Sequence, residues 1–241
     1  MFIDPSEIRN DLEKVEETEE GSARLVTQAI YELREEAAEV FSREKDLAQD
    51  IAEDITREAL DRLGVSRMDF RLFGKIDYKR ARYVFHPGYA VRQALLVDSK
   101  AEKQHGTSTL QTSQTSMRIR HIRSGKPVDE AGELPMIIKS GNGNCLTTTI
   151  FVKYEYQDRP EPRLREITVV SLPSGMLQDR YNPTPEDTIW RAGRNAPSRG
   201  EPFRVRLVFG LLKKKMRWRV QAIPLYPHPI VPGPGSFPWD E

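Results

Sequence analysis

Two aspartates and one lysine are the side chains whose types and spacing best suit metal-dependent chemistry in this chain. Asp98, Ser99 and Lys100 follow the apolar run Ala94–Val97, which predicts a buried strand that delivers its last residues to the edge of a sheet. Asp77 lies in a second strand-like stretch upstream. If adjacent strand ends bring these residues together, the two carboxylates can hold a divalent cation, and the lysine can position a water that attacks phosphorus. Metal-dependent nucleases use this arrangement.

The ligand types point to one metal, although the pattern is short. Carboxylate oxygens suit Mg²⁺, which usually takes one or two protein carboxylates and keeps several waters. An acidic residue two positions before a lysine also occurs at Asp77 and Lys79, and such triplets arise by chance in chains of this size. Charged decoration of the surface is therefore the alternative that the spacing alone leaves open.

The net charge of +1 conceals two segments of opposite sign. Residues 1–64 hold 8 Lys and Arg against 19 Asp and Glu, whereas the rest of the chain holds 29 against 17. A basic body suits contacts with nucleic-acid phosphates, and an acidic helical arm would then point away from the duplex or pack on a partner. A solvated helix surface explains the acidic segment equally well, but it does not explain the basic remainder.

Composition disfavours several classes of protein. The lone Cys145 argues against a disulfide framework and a multi-cysteine zinc site, and it is compatible with a reducing cytoplasm. No apolar run approaches the roughly 18 residues that a transmembrane helix needs, and the acidic N-terminus does not read as a signal peptide. No GxxxxGK loop occurs, so a nucleotide cofactor is not expected. We expect a soluble cytoplasmic protein without a membrane partner.

Periodicity predicts an α/β protein, with one mixed central sheet flanked by helices. Helices are predicted at Ser6–Glu20, Ser22–Ser42, Asp46–Leu63 and Thr109–Arg120. Strands are predicted at 71–86, 90–101, 146–156, 165–173, 203–210 and 218–224. We expect a single domain with an acidic helical segment at 1–64, a catalytic and DNA-binding core at 65–223 and a proline-rich tail at 224–241.

Longer stretches of the chain resemble the SfiI-like type II restriction endonucleases of the PD-(D/E)xK superfamily. They occur in order and comprise Ile51–Thr56, Gly74–Arg80, Leu95–Ala101, Thr109–Gln114, Arg180–Pro183 and Ala192–Glu201. The resemblance implies the restriction-endonuclease core, with Asp77, Asp98 and Lys100 as catalytic residues. It also implies that the backbone carbonyl of Ser99 is a metal ligand. Ile76 stands where the superfamily name places proline.

The same resemblance implies a prokaryotic enzyme that uses Mg²⁺ to cut both strands of double-stranded DNA. Its site would be an interrupted palindrome with GC-rich half-sites, and a homotetramer would engage two DNA copies. Symmetric cutting needs at least a dimer, because each active site cuts one strand. Two rivals share the fold: a catalytically silent DNA-binding or assembly module, and a structure-specific repair nuclease. The presence of Asp77, Asp98 and Lys100 argues against the silent module. The long matching stretches argue against the repair nuclease.

An acidic residue on the third predicted helix is a further candidate metal ligand. An acid from a helix near the metal is a frequent addition in this superfamily, and Glu53 lies in a stretch that carries the resemblance. The alternative is a solvated position on an already acidic helix. Glu102 and Lys103, which follow the catalytic triplet, are expected to be solvated surface charges.

Two arginines are the main candidates for reading DNA bases. Arg204 and Arg206 are predicted to share one face of a strand, about 7 Å apart, and arginine binds guanine O6 and N7 bidentately. A polar outer sheet face would produce the same alternation. Further candidates for DNA contacts are Gln111, Gln114, Arg194, Asn195 and Arg199, although the two glutamines suit helix capping equally well. Lys213–Lys215 with Arg217 and Arg219 form a basic cluster, either solvated or positioning phosphates.

Overall fold

The structure, a computed structural model, describes residues 2–44, 47–64, 82–85, 90–140, 143–157, 161–193, 204–223 and 225. Of the strand predicted at 71–86, only 82–85 falls within these ranges, and those residues do form a strand. Among the described residues, no helix is both long enough and apolar enough to cross a membrane.

The N-terminal segment is helical, as predicted, but the helix boundaries differ from the predicted ones. Its helices are α1 (Leu12–Glu32), α2 (Arg34–Arg43) and α3 (Ala48–Arg62). Later in the chain lie α4 (Gln178–Tyr181) and α5 (Phe209–Lys215). The predicted break at Gly21 is wrong, because α1 continues through it. A glycine inside a helix costs about 1 kcal/mol. The buried face that α1 presents on both sides of Gly21 outweighs this cost.

Twelve strands lie in the described residues, and most belong to one mixed sheet. They are β1 (Phe2–Ile3), β2 (Arg82–Phe85), β3 (Ala90–Glu102), β4 (Thr107–Leu110), β5 (Ile119–Arg123), β6 (Lys126–Glu130), β7 (Ile137–Ser140), β8 (Gly143–Gln157), β9 (Arg163–Leu172), β10 (Trp190–Ala192), β11 (Val205–Val208) and β12 (Val220–Ile223). The main sheet runs β1-β3-β8-β9-β12, with β2 also paired to β3 and β7 to β8. β3 is parallel to β1 and β8, and the other pairs are antiparallel. The predicted α/β class with a mixed central sheet is confirmed.

A second, three-stranded sheet has the order β10-β11-β4, and β5 and β6 form a hairpin. The helix predicted at Thr109–Arg120 is wrong, because this stretch contains the end of β4, a 3₁₀ turn at Thr112–Gln114 and the start of β5. In β4, burial alternates with a period of two, with Ser108 and Leu110 buried. Threonine-rich segments favour strands, and pairing with β11 decides the outcome.

Alternation along β3 and β8 separates the two faces of the main sheet. Ile150 and Val152 pack with Leu95 in the hydrophobic cluster that contains the buried residues of α2 and α3. Phe151 belongs to the cluster on the opposite face. Asp98 pairs with Phe151 across the parallel ladder, so its side chain lies on the face that α2 and α3 do not cover.

A buried group of charges joins α1 to the segment before β12. Arg219 is fully buried, and its Nη2 lies 2.7 Å from Glu19 Oε2 and 3.1 Å from Glu16 Oε1. Its Nε donates a hydrogen bond of 2.7 Å to the hydroxyl of Tyr181. Arg219 therefore does not belong to the basic surface cluster in which the sequence analysis placed it.

Two carboxylates of this buried group face Arg219, and Arg180, which is 33% exposed, also lies 3.7 Å from Glu16. Burial raises the pKa of Glu19 to about 7, and the attraction of Arg219 opposes that shift without cancelling it. A proton on this carboxylate leaves one negative charge opposite Arg219 and makes the group neutral. Part of the acidic N-terminal segment is therefore core, not solvated surface.

Candidate active site

Asp98 and Lys100 lie side by side on one face of the central strand β3. The Nζ of Lys100 is 2.7 Å from Oδ2 of Asp98, and their side chains are 19% and 24% exposed. The ring centroid of Phe151, on the neighbouring strand β8, lies 5.9 Å from the same ammonium. The pair therefore stands on a strand that is hydrogen-bonded within the sheet and remains accessible to a substrate. The strand prediction is confirmed, although β3 continues two residues past Lys100 to Glu102.

A glutamine from the segment after β4 contacts the same carboxylate. The Nε2 of Gln114 donates a hydrogen bond of 3.0 Å to Oδ2 of Asp98, and Gln114 is 1% exposed. Its Oε1 accepts a hydrogen bond of 3.3 Å from the backbone N–H of Gln111. In return, the side chain of Gln111 accepts from the backbone N–H of Gln114. The two glutamines thus cap the 3₁₀ turn between them and place one amide against Asp98.

The backbone carbonyl of Ser99 is held by a side chain from α3. The Nε2 of Gln49 donates to this carbonyl at 2.8 Å, and the Oε1 of Gln49 accepts from the backbone N–H of Ala101 at 3.0 Å. The same Nε2 also donates to Oε1 of Glu53 at 3.0 Å. The carbonyl and the helix carboxylate that the sequence analysis selected as metal ligands are therefore joined through one amide group.

This donor set suits a hard cation. The Asp98 carboxylate, the Ser99 carbonyl and the Glu53 carboxylate supply oxygen atoms, the ligand type that Mg²⁺ prefers. Two of these oxygens already converge on the positively polarised NH₂ group of Gln49, as they would converge on a cation. The second predicted carboxylate, that of Asp77, lies outside the described residues.

The three-stranded sheet carries a polar face, which we call the arginine face and define as Arg191, Arg204, Arg206, Thr109 and Gln111. Arg206 lies between Arg191 and Thr109 in the strand register. Gln111 and Arg204 directly adjoin β4 and β11 and lie on this side by alternation. The intervening residues of these strands are mostly buried. The predicted alternation of Arg204 and Arg206 is therefore present. Arg194, Asn195 and Arg199 lie outside the described residues.

Glu102 joins the arginine face to β3. Its Oε1 accepts a hydrogen bond of 2.9 Å from the backbone N–H of Thr109, and its Oε2 lies 3.6 Å from Nη1 of Arg206. Glu102 was expected to be a solvated charge, and that expectation is wrong because its side chain is 18% exposed and paired. A group suited to hydrolysis of a phosphodiester therefore adjoins a group suited to contacts with bases.

Comparison with known families agrees with this geometry. Residues 20–223 match the family described as the type II restriction enzyme SfiI. The chain belongs to the SfiI family. The type II restriction enzyme SfiI of Streptomyces fimbriatus is 37% identical over 228 residues, which cover 88% of this chain and 85% of that enzyme.

Solved structures give the same result for the fold. The crystal structure of the tetrameric restriction endonuclease SfiI bound to cognate DNA has a TM-score of 0.78 and 35% identity, covering 92% of this chain and 88% of that one. The restriction endonuclease BglI bound to its DNA recognition sequence has a TM-score of 0.71 and covers 91% of this chain and 94% of that one. Its identity is 16%, so this second likeness concerns the fold alone.

In this member of the SfiI family, a second polar group lies further along the same face of the sheet. Side-chain ligand atoms of His105, Glu155 and Glu166 lie within 4.8 Å of one another. The ammonium of Lys153, 1% exposed, is 3.2 Å from Oε2 of Glu155 and also donates to the carbonyl of Gln104. Because Lys153 already neutralises Glu155, this group is better suited to anchoring the segment between β3 and β4 than to binding a cation.

Several residues that contact the predicted site residues were not predicted from the sequence. Gln49 and Glu102 gave no signal, because an amide or carboxylate that contacts a distant strand looks the same in sequence as a solvated one. Arg191 did give a weak signal, because it alternates with the buried Trp190 in a short edge strand. The contact between Gln114 and Asp98 depends on the 3₁₀ turn, which was predicted as a helix.

Proposed function

We propose that this SfiI-family restriction endonuclease uses Mg²⁺ to hydrolyse both strands of double-stranded DNA at a specific site. The observation that carries the proposal is the contact between the two groups described above. Asp98 and Lys100 stand on β3, and Glu102 on the same strand pairs with Arg206 of the arginine face. Arginine is the side chain that most often binds guanine edges, so Arg204 and Arg206, together with the resemblance to the family, support an interrupted palindrome with GC-rich half-sites.

The proposed chemistry assigns a role to each catalytic residue. Asp77, Asp98 and the Ser99 carbonyl would hold Mg²⁺, with Glu53 as a further candidate. Mg²⁺ bound there would offset the negative charge that develops on the phosphate. Lys100 would hold the attacking water through Nζ and stabilise the negative charge that develops as the water oxygen attacks phosphorus. Asp98, at 2.7 Å, keeps that ammonium in place.

The proposed DNA contacts centre on the arginine face. Arg204 and Arg206 would bind guanine edges in the major groove, and Arg206 would exchange its long contact of 3.6 Å with Glu102 for a base. The Nε of Arg204 is buried without a hydrogen-bond partner in the part of the chain that the structure covers, so a bound acceptor would satisfy it. Gln111 and, from residues 194–199, Arg194, Asn195 and Arg199 are further proposed contacts, whereas Gln114 is 1% exposed and its amide already bonds Gln111 and Asp98.

Specificity and affinity should separate on mutation. Arg204→Ala or Arg206→Ala should cost about 1–3 kcal/mol on the specific duplex and change binding to unrelated DNA little, because phosphate contacts dominate the latter. Lys213 and Lys214 are exposed at the end of α5, so the double alanine variant should weaken all duplexes alike and flatten the salt dependence. Lys215 stays unchanged as it pairs with Asp187 at 2.5 Å.

Fluorescence titrations on the specific and random duplexes at two salt concentrations provide the comparison. Equal losses on both duplexes for the two arginine variants would show that these arginines only contact the backbone. The base-reading residues would then have to be sought among residues 191–199 or around Gln111.

We propose a homotetramer that engages two DNA copies, and at least a dimer. The support is the tetrameric SfiI bound to cognate DNA and the match between two-fold DNA sites and two-fold proteins. We expect light scattering to give a dimer or tetramer for the free protein. A strict monomer at micromolar concentration that cuts both strands in one binding event would contradict the proposal.

The prokaryotic cytoplasm is the proposed compartment, and the buried thiol of Cys145 is compatible with its reducing conditions. The activity itself is tested by incubating the purified protein with a large linear DNA in Mg²⁺ and in EDTA. Discrete fragments in Mg²⁺ and intact DNA in EDTA are expected. A continuous smear would contradict site specificity, and intact DNA in both would contradict the nuclease.

A further inference from the structure

One short segment joins the arginine face to the catalytic carboxylate. The segment starts at the end of β4, passes through Gln111 and ends at Gln114. β4 pairs with β11 in the three-stranded sheet, where Leu110 lies opposite Val205. Gln111 is thus the next residue after a strand whose position is fixed by the arginine face. A movement of that face relative to β3 would therefore be transmitted to this segment.

The bonds within the segment are reciprocal, so its two ends move as one unit. The backbone N–H of Gln111 donates to Gln114 Oε1, and the backbone N–H of Gln114 donates to the side chain of Gln111. The nitrogen of the same side-chain amide, Gln114 Nε2, donates to Oδ2 of Asp98. The Oδ2 atom also bonds Lys100 at 2.7 Å. One carboxylate oxygen is therefore shared by the catalytic lysine and by a residue tied to the arginine face.

We propose that Gln114 is a positioning residue that couples DNA recognition to catalysis, orienting the Asp98 carboxylate according to the position of the arginine face. The inference rests on the proposed nuclease function. A second contact between the same elements, from Glu102 to Thr109 and Arg206, limits the movement of β4 relative to β3. Correct docking of DNA on the arginine face would fix the position of the 3₁₀ turn. This turn would then fix the orientation of the Asp98 carboxylate through the amide of Gln114.

The coupling can be tested with Gln114→Leu, which removes the amide and roughly preserves the volume of this buried side chain. Gln93→Leu is the matched control. Gln93 is also 1% exposed and lies on β3. Its amide oxygen accepts from Ser22 and Thr148, so its loss removes buried hydrogen bonds far from the carboxylate of Asp98. Both variants should lower Tm, which serves as the measure of general damage.

Two readouts separate positioning from general damage. The first is the Mg²⁺ concentration that half-saturates the rise in Tm of the DNA-free protein. Because residues that orient a metal ligand contribute to metal affinity, this concentration should rise about 10–100-fold in Gln114→Leu and stay unchanged in Gln93→Leu. The second is the single-turnover cleavage rate on the specific site and on a site with one base pair changed. Gln114→Leu should lose more rate on the specific site, so the ratio of the two rates falls.

The outcomes distinguish this inference from the proposed function. If the wild-type protein does not cleave DNA, the proposed function fails first. If the wild-type protein cleaves and Gln114→Leu keeps its Mg²⁺ half-saturation, Gln114 does not position the carboxylate. If both rates fall by the same factor, Gln114 is not coupled to recognition. Either of the last two results overturns the inference.

Discussion

Asp98→Ala should reduce the rate of DNA cleavage by about 10³-fold or more, the scale on which enzymes lose rate when a developing charge loses a major stabiliser. The variant removes a proposed metal ligand and the carboxylate that fixes Lys100 at 2.7 Å. Single-turnover cleavage in Mg²⁺ measures the effect. Binding to the specific duplex should remain largely intact, since the arginine face is unchanged.

Asp179→Ala is the matched control, because it removes an aspartate that is exposed on α4. It should cleave at the wild-type rate. Substantial cleavage by purified Asp98→Ala in Mg²⁺ would contradict the assignment of this carboxylate. A loss of folding would be visible as a loss of DNA binding and of Tm, so the two causes can be separated.

Arg219→Met should lower the free energy of unfolding by about 3–5 kcal/mol, because it removes the buried cation from Glu19 and leaves Glu16 with only the more distant Arg180, at 3.7 Å. Arg219 has no exposed side-chain area, and Glu19 and Glu16 are at most 6% exposed. Denaturant unfolding measures the loss. Arg62→Met removes an arginine that is 53% exposed and paired with Glu58, and it should change stability little. Equal losses of unfolding free energy in the two variants would show that the buried group stabilises the fold no more than an exposed ion pair does.

The pKa of Glu19 adds a pH dependence to this buried group. Burial raises it from 4.5 to about 7, so the folded state holds a proton that the unfolded state releases between these values. The contribution of Glu19 to stability is therefore greatest at low pH and is lost as the pH rises through about 7. Glu19→Gln should be less stable than the wild-type protein at pH 5 by a larger margin than at pH 8, or even more stable than the wild-type protein at pH 8. A difference in free energy that does not vary with pH would contradict the shift.

The sequence predicted the fold class and the central strand β3 because both depend on local patterns. The apolar run Ala94–Val97 leads directly into Asp98, and β3 and β8 occupy nearly the predicted ranges. The N-terminal helices were also predicted, but the predicted break at Gly21 is wrong. Propensity describes the local preference of a residue, and burial of α1 against the sheet overrides it.

The supporting residues of the site could not be predicted, because their contacts join distant parts of the chain. Gln49 on α3 bonds the backbone of β3, and Glu102 on β3 pairs with Arg206 on β11. Nothing in the sequence around either residue distinguishes it from a solvated neighbour. The charge count also misled in one detail: Arg219 stands in a basic stretch, yet it is buried against α1.

Mapping the cut ends of plasmid DNA is the most direct test of site-specific cleavage of both strands. The purified protein is incubated in Mg²⁺ with a plasmid of known sequence, and the termini of all fragments are sequenced on both strands. We expect every end to derive from one recurring sequence with two-fold symmetry. The cuts in the two strands should lie at positions related by that symmetry. Asp98→Ala should yield no such ends. Ends scattered over unrelated sequences, or cuts confined to one strand, would contradict it.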